Sequence, residues 1–220
     1  MIPQANGGSV EVFVPDGATD GVPVVVLLHG RGADRTDLFA LRRFLPDGWA
    51  VVAPDAPFPA APWGYGPGRA WYQYLGRNRP EPDSFQRSLE HVDDLLTRLP
   101  EIIGREPGPV ALGGFSQGGA VSMGYALTHR RPGLSIVNFS GFLADHPAVA
   151  PTPEAVAGAR FFWGHGTADP AIPFALAIEG RELLARAGAD LETRDYHMGH
   201  GISPDELADA VTWLQPSLDR

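Results

Sequence analysis

No cysteine occurs among the 220 residues. Disulfides, a thiolate nucleophile and thiolate metal sites are therefore excluded. Lysine is absent as well, because all 17 basic residues are arginines. That removes a Schiff-base lysine, a Ser-Lys dyad and a phosphate-loop lysine. The nucleophiles left are Ser, Thr, Tyr, His and carboxylates. Long apolar runs are also missing. The longest, Val22 to Leu28, contains Pro23 and is strand-sized, whereas a membrane-spanning helix needs roughly 20 apolar residues. Positive charge is in deficit, and the net charge is -9. Nucleic acid and anionic membrane surfaces both select basic footprints, so neither is an expected partner. Met1 to Gly8 lacks the basic and apolar regions of a secretory signal. A cytoplasmic location without stable membrane insertion is the expectation.

What is present reads as one domain over residues 1–220, a length that suits one sizeable core. Val10–Val14 alternates in polarity, as a half-buried strand does. Val22–Leu28 is continuously apolar, as in a strand covered on both faces. Trp49–Ala53, Pro109–Leu112, Leu134–Phe139, Arg160–Trp163 and Leu191–Tyr196 continue the strand series. Helical patterns separate them. Asp83 and Gln86 suit a capping box, and Phe85, Leu89, Val92, Leu96 and Leu99 then recur at steps of three and four up to Pro100. Ala120–Leu127 is a second helix. Phe174–Ala187 is a third, with Gly188 as its cap. Ser203, Pro204 and Glu206 start the last as N-cap, first helical residue and capping-box partner. Strands alternating with helices predict an α/β fold, a mostly parallel sheet with helices on both faces.

Gly114-Phe115-Ser116-Gln117-Gly118 matches G-x-S-x-G. In an α/β-hydrolase this pentapeptide is the turn that exposes a serine at the end of a strand. The turn is tight, and glycine two positions either side relieves the crowding. The pattern alone is weak in a chain with 27 glycines. The apolar strand before it and the helix after it supply the context. The N–H of Gln117 then faces a developing oxyanion. Leu27-Leu28-His29-Gly30-Arg31-Gly32 follows an earlier strand, and its Gly-rich loop can turn the Arg31 N–H toward Ser116. His29, at a strand end, fits a loop-fixing hydrogen bond better than a base.

The order of this fold is Ser, then Asp or Glu, then His. His200 lies between Gly199 and Gly201, just ahead of the last helix. It is the expected base, with His197 as the second choice. Gly164-His165-Gly166-Thr167-Ala168-Asp169-Pro170 follows a strand and offers Asp169 as the acid. Asp145 and Asp195 are weaker candidates, and His165 reads as structural. Pro54 to Arg69 is long and rich in Pro and Gly, a length that often marks a binding loop. Trp63, Tyr65 and Trp71, with Phe142, are the expected substrate-binding residues. His91, His129 and His146 are scattered, so no metal is expected. No G-x-G-x-x-G opens a helix after a first strand, so no dinucleotide or other cofactor is expected.

The motifs together resemble the phospholipase/carboxylesterase family, which includes acyl-protein thioesterases. The resemblance spans nearly the whole chain. It rests on Leu28-His29-Gly30-Arg31-Gly32-Ala33-Asp34, Pro54-Asp55-Ala56-Pro57, Arg69-Ala70-Trp71-Tyr72, Gly113 to Gly119, Gly164-His165-Gly166 with Asp169 and Pro173, and Met198-Gly199-His200 with Ile202-Ser203. It implies Ser116, Asp169 and His200 as a triad, with the N–H groups of Arg31 and Gln117 as oxyanion hole. It also implies an esterase without a separate cap domain. Two positions depart from the pattern. Gln73 stands where an acid is common, and Arg31 where leucine is common.

The expected function is hydrolysis of small to medium carboxylic esters through an acyl-enzyme, with a small-molecule ester as partner and a monomer or homodimer as the assembly. Acyl thioesters or lysophospholipids are alternative substrates for the same triad. A non-catalytic ligand receptor on a hydrolase scaffold is the alternative of another class.

Overall fold

The computed structural model describes residues 2–3 and 9–219. An eight-stranded sheet forms its centre, in the order β1-β2-β4-β3-β7-β8-β9-β10. The strands are β1 (Ile2–Pro3), β2 (Ser9–Phe13), β3 (Val22–Leu28), β4 (Ala50–Pro54), β7 (Pro107–Phe115), β8 (Ser135–Phe139), β9 (Arg160–Gly166) and β10 (Asp190–Tyr196). The pairs β1–β2 and β2–β4 are antiparallel. Every pair from β4 through β3 to β10 is parallel. All seven strands expected from the sequence form. The strand expected at Pro109–Leu112 is longer, because Gly113 and Gly114 carry no apolar signal yet remain in register with Leu27 and Leu28.

Helices lie on both faces, as the strand–helix alternation predicts. Side chains alternate along β3, and each face has its own core. Val24, Val26 and Leu28 pack with Phe85, Leu89, Leu112, Ile136 and Trp163. Val25 and Leu27 pack on the other face with Val51, Val137, Phe162, Leu207 and Leu214. The first core is covered by α2 (Pro82–Thr97), α4 (Gln117–His129) and α6 (Phe174–Arg186), and the second by α1 (Arg35–Phe39) and α7 (Pro204–Leu218). Residues Gln117 to Leu127 of α4 are all buried, since β7, β8 and α2 enclose it. On α4, Gly124 leaves room for Phe85, whose ring would lie 2.7 Å from an added Cβ.

Three local expectations change. The capping box at Asp83 and Gln86 does not form. Glu81 is the N-cap, its carboxylate accepting from the N–H groups of Asp83 and Ser84, with Pro82 as the first helical residue. Proline at the first position of a helix needs no N–H partner, so the start moves upstream. Pro100 likewise does not close the helical stretch but sits in the first turn of α3 (Leu99–Ile103). At α7 only half of the expected box is present. Ser203 Oγ accepts from the Glu206 N–H at 3.1 Å, while both carboxyl oxygens of Glu206 are buried without a hydrogen bond among the described residues. The cap of α6 is as expected. Gly188 has a φ of 79° and donates to the Ala185 carbonyl.

The long Pro54–Arg69 segment folds into a small ribbon, β5 (Phe58–Pro59) against β6 (Arg69–Ala70), around a single turn of helix at Ala61–Trp63. The Arg69 guanidinium fastens it by donating to the carbonyls of Ala56 and Pro57.

Candidate active site

Ser116 joins β7 to α4 with φ 55° and ψ -113°, a conformation rarely populated by any residue but glycine. Its N–H is held by the Phe139 carbonyl at 2.9 Å. The flanking glycines are needed sterically. A Cβ at Gly114 would lie 2.3 Å from the Gly118 backbone, and one at Gly118 only 2.0 Å from the Leu28 carbonyl oxygen. The turn thus packs directly on the end of β3, where the Gly-rich loop begins.

His200 Nε2 lies 3.0 Å from Ser116 Oγ, and His200 Nδ1 lies 2.7 Å from Asp169 Oδ2. The three candidates, 84 and 31 residues apart in these pairs, are brought into one hydrogen-bonded chain. Asp169 ends a short turn after β9, and its Oδ1 accepts from the N–H groups of Ala171 and Ile172 at 2.8 and 2.9 Å. Its carboxylate is thereby fixed in plane with both oxygens used. The Phe115 ring packs on the His200 imidazole at 4.7 Å between centroids. His197 is exposed and does not line the cleft. Asp195 is engaged by Arg181 at 2.5 Å.

The other buried histidines hold loops. His29 Nδ1 donates to the Gly30 carbonyl, and Nε2 accepts from the Ala56 N–H at 3.0 Å. Burial lowers its pKa, which keeps the ring neutral and the acceptor available. His165 Nε2 donates to the Ile172 carbonyl at 2.9 Å, steadying the loop that carries Asp169. Its pKa is also lowered by burial.

Arg31 and Gln117 both line the cleft beside Ser116. Gln117 is the first residue of α4, where an N–H has no partner inside the helix. No hydrogen bond occupies the Arg31 N–H among the described residues. Both main-chain donors therefore remain available. The Gln117 side chain accepts from the Trp71 N–H at 3.0 Å and donates to the Tyr72 carbonyl at 2.9 Å. It ties the elbow to the segment that follows β6 (Arg69–Ala70).

The cleft measures about 280 Å³. Tyr72, Tyr74, Phe115, Phe142 and Ile172 make its apolar walls, with Arg31, Ala33 and Asp37 on the side of the Gly-rich loop. Of the expected substrate-binding residues, Phe142 lines it. Trp71 does not. Its ring is fully buried, and the indole N–H donates to the His29 carbonyl at 2.8 Å, so it braces the loop from beneath. Trp63 and Tyr65 are not wall residues either. They stack edge to face at 6.0 Å, and the Arg31 guanidinium lies over the Tyr65 ring at 4.7 Å. Tandem aromatics signal burial as readily as binding, and only packing separates the two.

Ser140 and Asn138, which are not among the residues expected from the sequence, order the turn after β8, and Ser140 ties it to the loop that carries His200. Ser140, at φ 52°, donates its N–H to the Gly164 carbonyl and its hydroxyl to the Gly201 carbonyl at 3.2 Å. Asn138 Oδ1 accepts from the Gly141 N–H at 2.9 Å. The available signal was Asn138-Phe139-Ser140-Gly141, a polar turn directly after an apolar strand.

Comparison with known proteins identifies the family. The family model described as Phospholipase/Carboxylesterase matches residues 11–218. Acyl-protein thioesterase 1 of Eremothecium gossypii is 28% identical over 213 residues, spanning 88% of this chain and 87% of that protein. A probable carboxylesterase of Oryza sativa subsp. japonica is 28% identical over 210 residues, spanning 88% and 77%. The crystal structure of esterase PE8 superposes with a TM-score of 0.78 at 29% identity, covering 96% of this chain and 99% of that one. The chain belongs to the phospholipase/carboxylesterase family, hydrolases of the α/β-hydrolase fold that act on ester bonds.

Proposed function

We propose that this protein is a serine carboxylesterase that cleaves small to medium carboxylic esters through an acyl-enzyme, with Ser116, His200 and Asp169 as its triad. The observation that carries this reading is the hydrogen-bonded chain from Asp169 through His200 to Ser116, with Ser116 on a strained turn that opens into the cleft. Ser116 Oγ attacks the acyl carbon while His200 Nε2 takes its proton. The imidazolium donates through Nδ1 to Asp169 Oδ2, whose other oxygen is held by Ala171 and Ile172. The tetrahedral oxyanion is met by the N–H groups of Arg31 and Gln117. Nε2 returns the proton to the departing alcohol. Water, deprotonated by the same nitrogen, then releases the acid and frees Ser116.

Ser116→Ala is expected to reduce turnover of a short p-nitrophenyl ester by at least about a thousandfold. Undiminished turnover in a folded Ser116→Ala protein would remove Ser116 from the mechanism. Failure of the wild-type enzyme to bond covalently to a fluorophosphonate would favour the receptor reading instead.

A second reading is acyl thioester hydrolysis with the same residues. The Eremothecium gossypii relative, named as an acyl-protein thioesterase, supports it as well as the rice relative supports the first. An oxyester and a thioester with the same acyl group, compared by kcat/KM, separate the two.

A further inference from the structure

The cleft contains two hydrogen-bond donors that ester hydrolysis itself does not use. The Arg31 side chain is exposed, although the same residue offers its N–H beside Ser116. Its guanidinium therefore lies within one side-chain length of where the scissile carbonyl would sit. No carboxylate pairs with it among the described residues. It is not free to wander. Its flat face rests on Tyr65 at 4.7 Å, and Tyr65 is fixed by the Tyr74 N–H, which donates to its hydroxyl at 2.7 Å. Trp63 buttresses Tyr65, and Phe58 buttresses Trp63 at 5.1 Å. A guanidinium stacked through its face keeps its N–H edge open for a planar anion.

The second donor is Tyr72. It lines the same cleft, is fully buried, and its hydroxyl has no hydrogen-bond partner among the described residues. Burial holds the Tyr72 hydroxyl protonated by raising its pKa well above the ordinary value, and the Arg31 charge acts weakly in the opposite sense. Buried hydroxyls are normally satisfied, so an unpaired one on the wall of the cleft calls for an acceptor. A neutral alkyl ester offers its carbonyl to the main-chain donors and nothing to this pair.

We propose that Arg31 and Tyr72 form a seat for a carboxylate-like anion on the substrate. The preferred esters would then carry a negative charge a few bonds from the scissile carbonyl. The inference rests on the esterase reading above and narrows its substrate class. Asp37 lines the Arg31 side of the cleft too, and among the described residues it forms no ion pair with Arg31, so the guanidinium edge stays open. Trp63 and Tyr65 act through Arg31 and are positioning residues.

Two matched pairs of esters test this and tell which half of the substrate bears the charge. On the acyl side, the p-nitrophenyl hemiester of adipic acid is compared with p-nitrophenyl hexanoate. On the alcohol side, para-acetoxybenzoate is compared with its methyl ester. In one pair the kcat/KM ratio of anionic to neutral substrate is expected to exceed one by roughly tenfold, the size of a charge-assisted contact. Arg31→Leu should abolish that preference, and Tyr72→Phe should lower it severalfold. Circular dichroism establishes that each variant is folded, and Tyr72→Phe decides if Arg31→Leu is not. A wild-type ratio at or below one in both pairs overturns the seat, as does a preference untouched by a folded variant. Either result leaves neutral-ester turnover, and hence the esterase reading, intact. No turnover of any of the four esters by the wild type would overturn that reading itself.

Discussion

Residue by residue, the proposed mechanism separates groups that would meet substrate from groups that hold them. Asp169 belongs to the second kind. Its Oδ2 faces His200 Nδ1, which requires the tautomer with a proton on Nδ1 and a lone pair on Nε2 toward Ser116. Asp169→Asn can present its amide to Nδ1 and invert that tautomer. kcat should fall by about three to four orders of magnitude with little change in the circular dichroism spectrum. A loss below tenfold would mean that the tautomer is set elsewhere. Glu206 poses a different question. Its carboxyl is buried against Gly164, unpaired, and burial pushes its pKa up to about 8 from an ordinary 4.5. The folded protein therefore binds a proton that the unfolded chain releases between those values. The contribution of Glu206 to stability is full below about pH 4.5 and declines as pH rises toward 8. Glu206→Gln cannot ionise. Relative to wild type it should gain on the order of a few kcal/mol between pH 5 and pH 8, read from urea unfolding at both. An equal difference at the two pH values would show that Glu206 does not titrate there.

At the scale of elements, the elbow is a contact between three of them. β7 ends at Phe115, Ser116 makes the turn, α4 starts at Gln117, and Gly118 presses on the end of β3. Gly118→Ala puts a methyl 2.0 Å from the Leu28 carbonyl oxygen, a backbone atom that cannot rotate away. Activity should fall at least about a hundredfold and Tm by several degrees, because α4 must tilt and carry the Gln117 N–H with it. Full activity in Gly118→Ala would show that the elbow tolerates displacement. The Gly-rich loop is held from the opposite side. His29 is held from two directions, its Nε2 accepting from the Ala56 N–H and its carbonyl accepting from the Trp71 indole. The loop carrying the Arg31 N–H is thus positioned before substrate arrives.

At the scale of the molecule, charge sets where the enzyme can work. A net charge of -9 with no lysine gives a field that opposes anionic surfaces. Among the described residues, no helix is long and apolar enough to cross a membrane. Esters presented in phosphatidylserine-rich vesicles should therefore be cleaved more slowly than the same esters in neutral vesicles, with the gap closing as salt is added. Faster cleavage in the anionic vesicles would favour a lysophospholipase role over a small soluble ester. Long-range repulsion and the local Arg31 seat are compatible. The field acts over a Debye length of roughly 8 Å in physiological salt, whereas the seat acts at contact.

Much of this was legible in the chain. The strands were visible because parallel strands covered on both faces must be continuously apolar, as Val22–Leu28 is. Ser116, Asp169 and His200 were singled out because each sits at a strand end within a Gly-bearing turn, in the order that this fold requires. Helix starts were harder. Asp83 and Glu81 are both capable caps, and the choice of Glu81 followed from Pro82, whose ring favours the first helical position. Nucleophile inventory and hydrophobic period are local properties, so the chemistry available and the alternation of elements follow from the order of residues alone. Which aromatics line the cleft depended on packing. Trp71 turned beneath the loop, Tyr65 became a platform for Arg31, and Tyr72 reached the cleft with an unpaired hydroxyl. Side-chain direction in an irregular ribbon has no period to read. It is set by contacts between residues such as His29 and Trp71, which lie 42 positions apart in the chain.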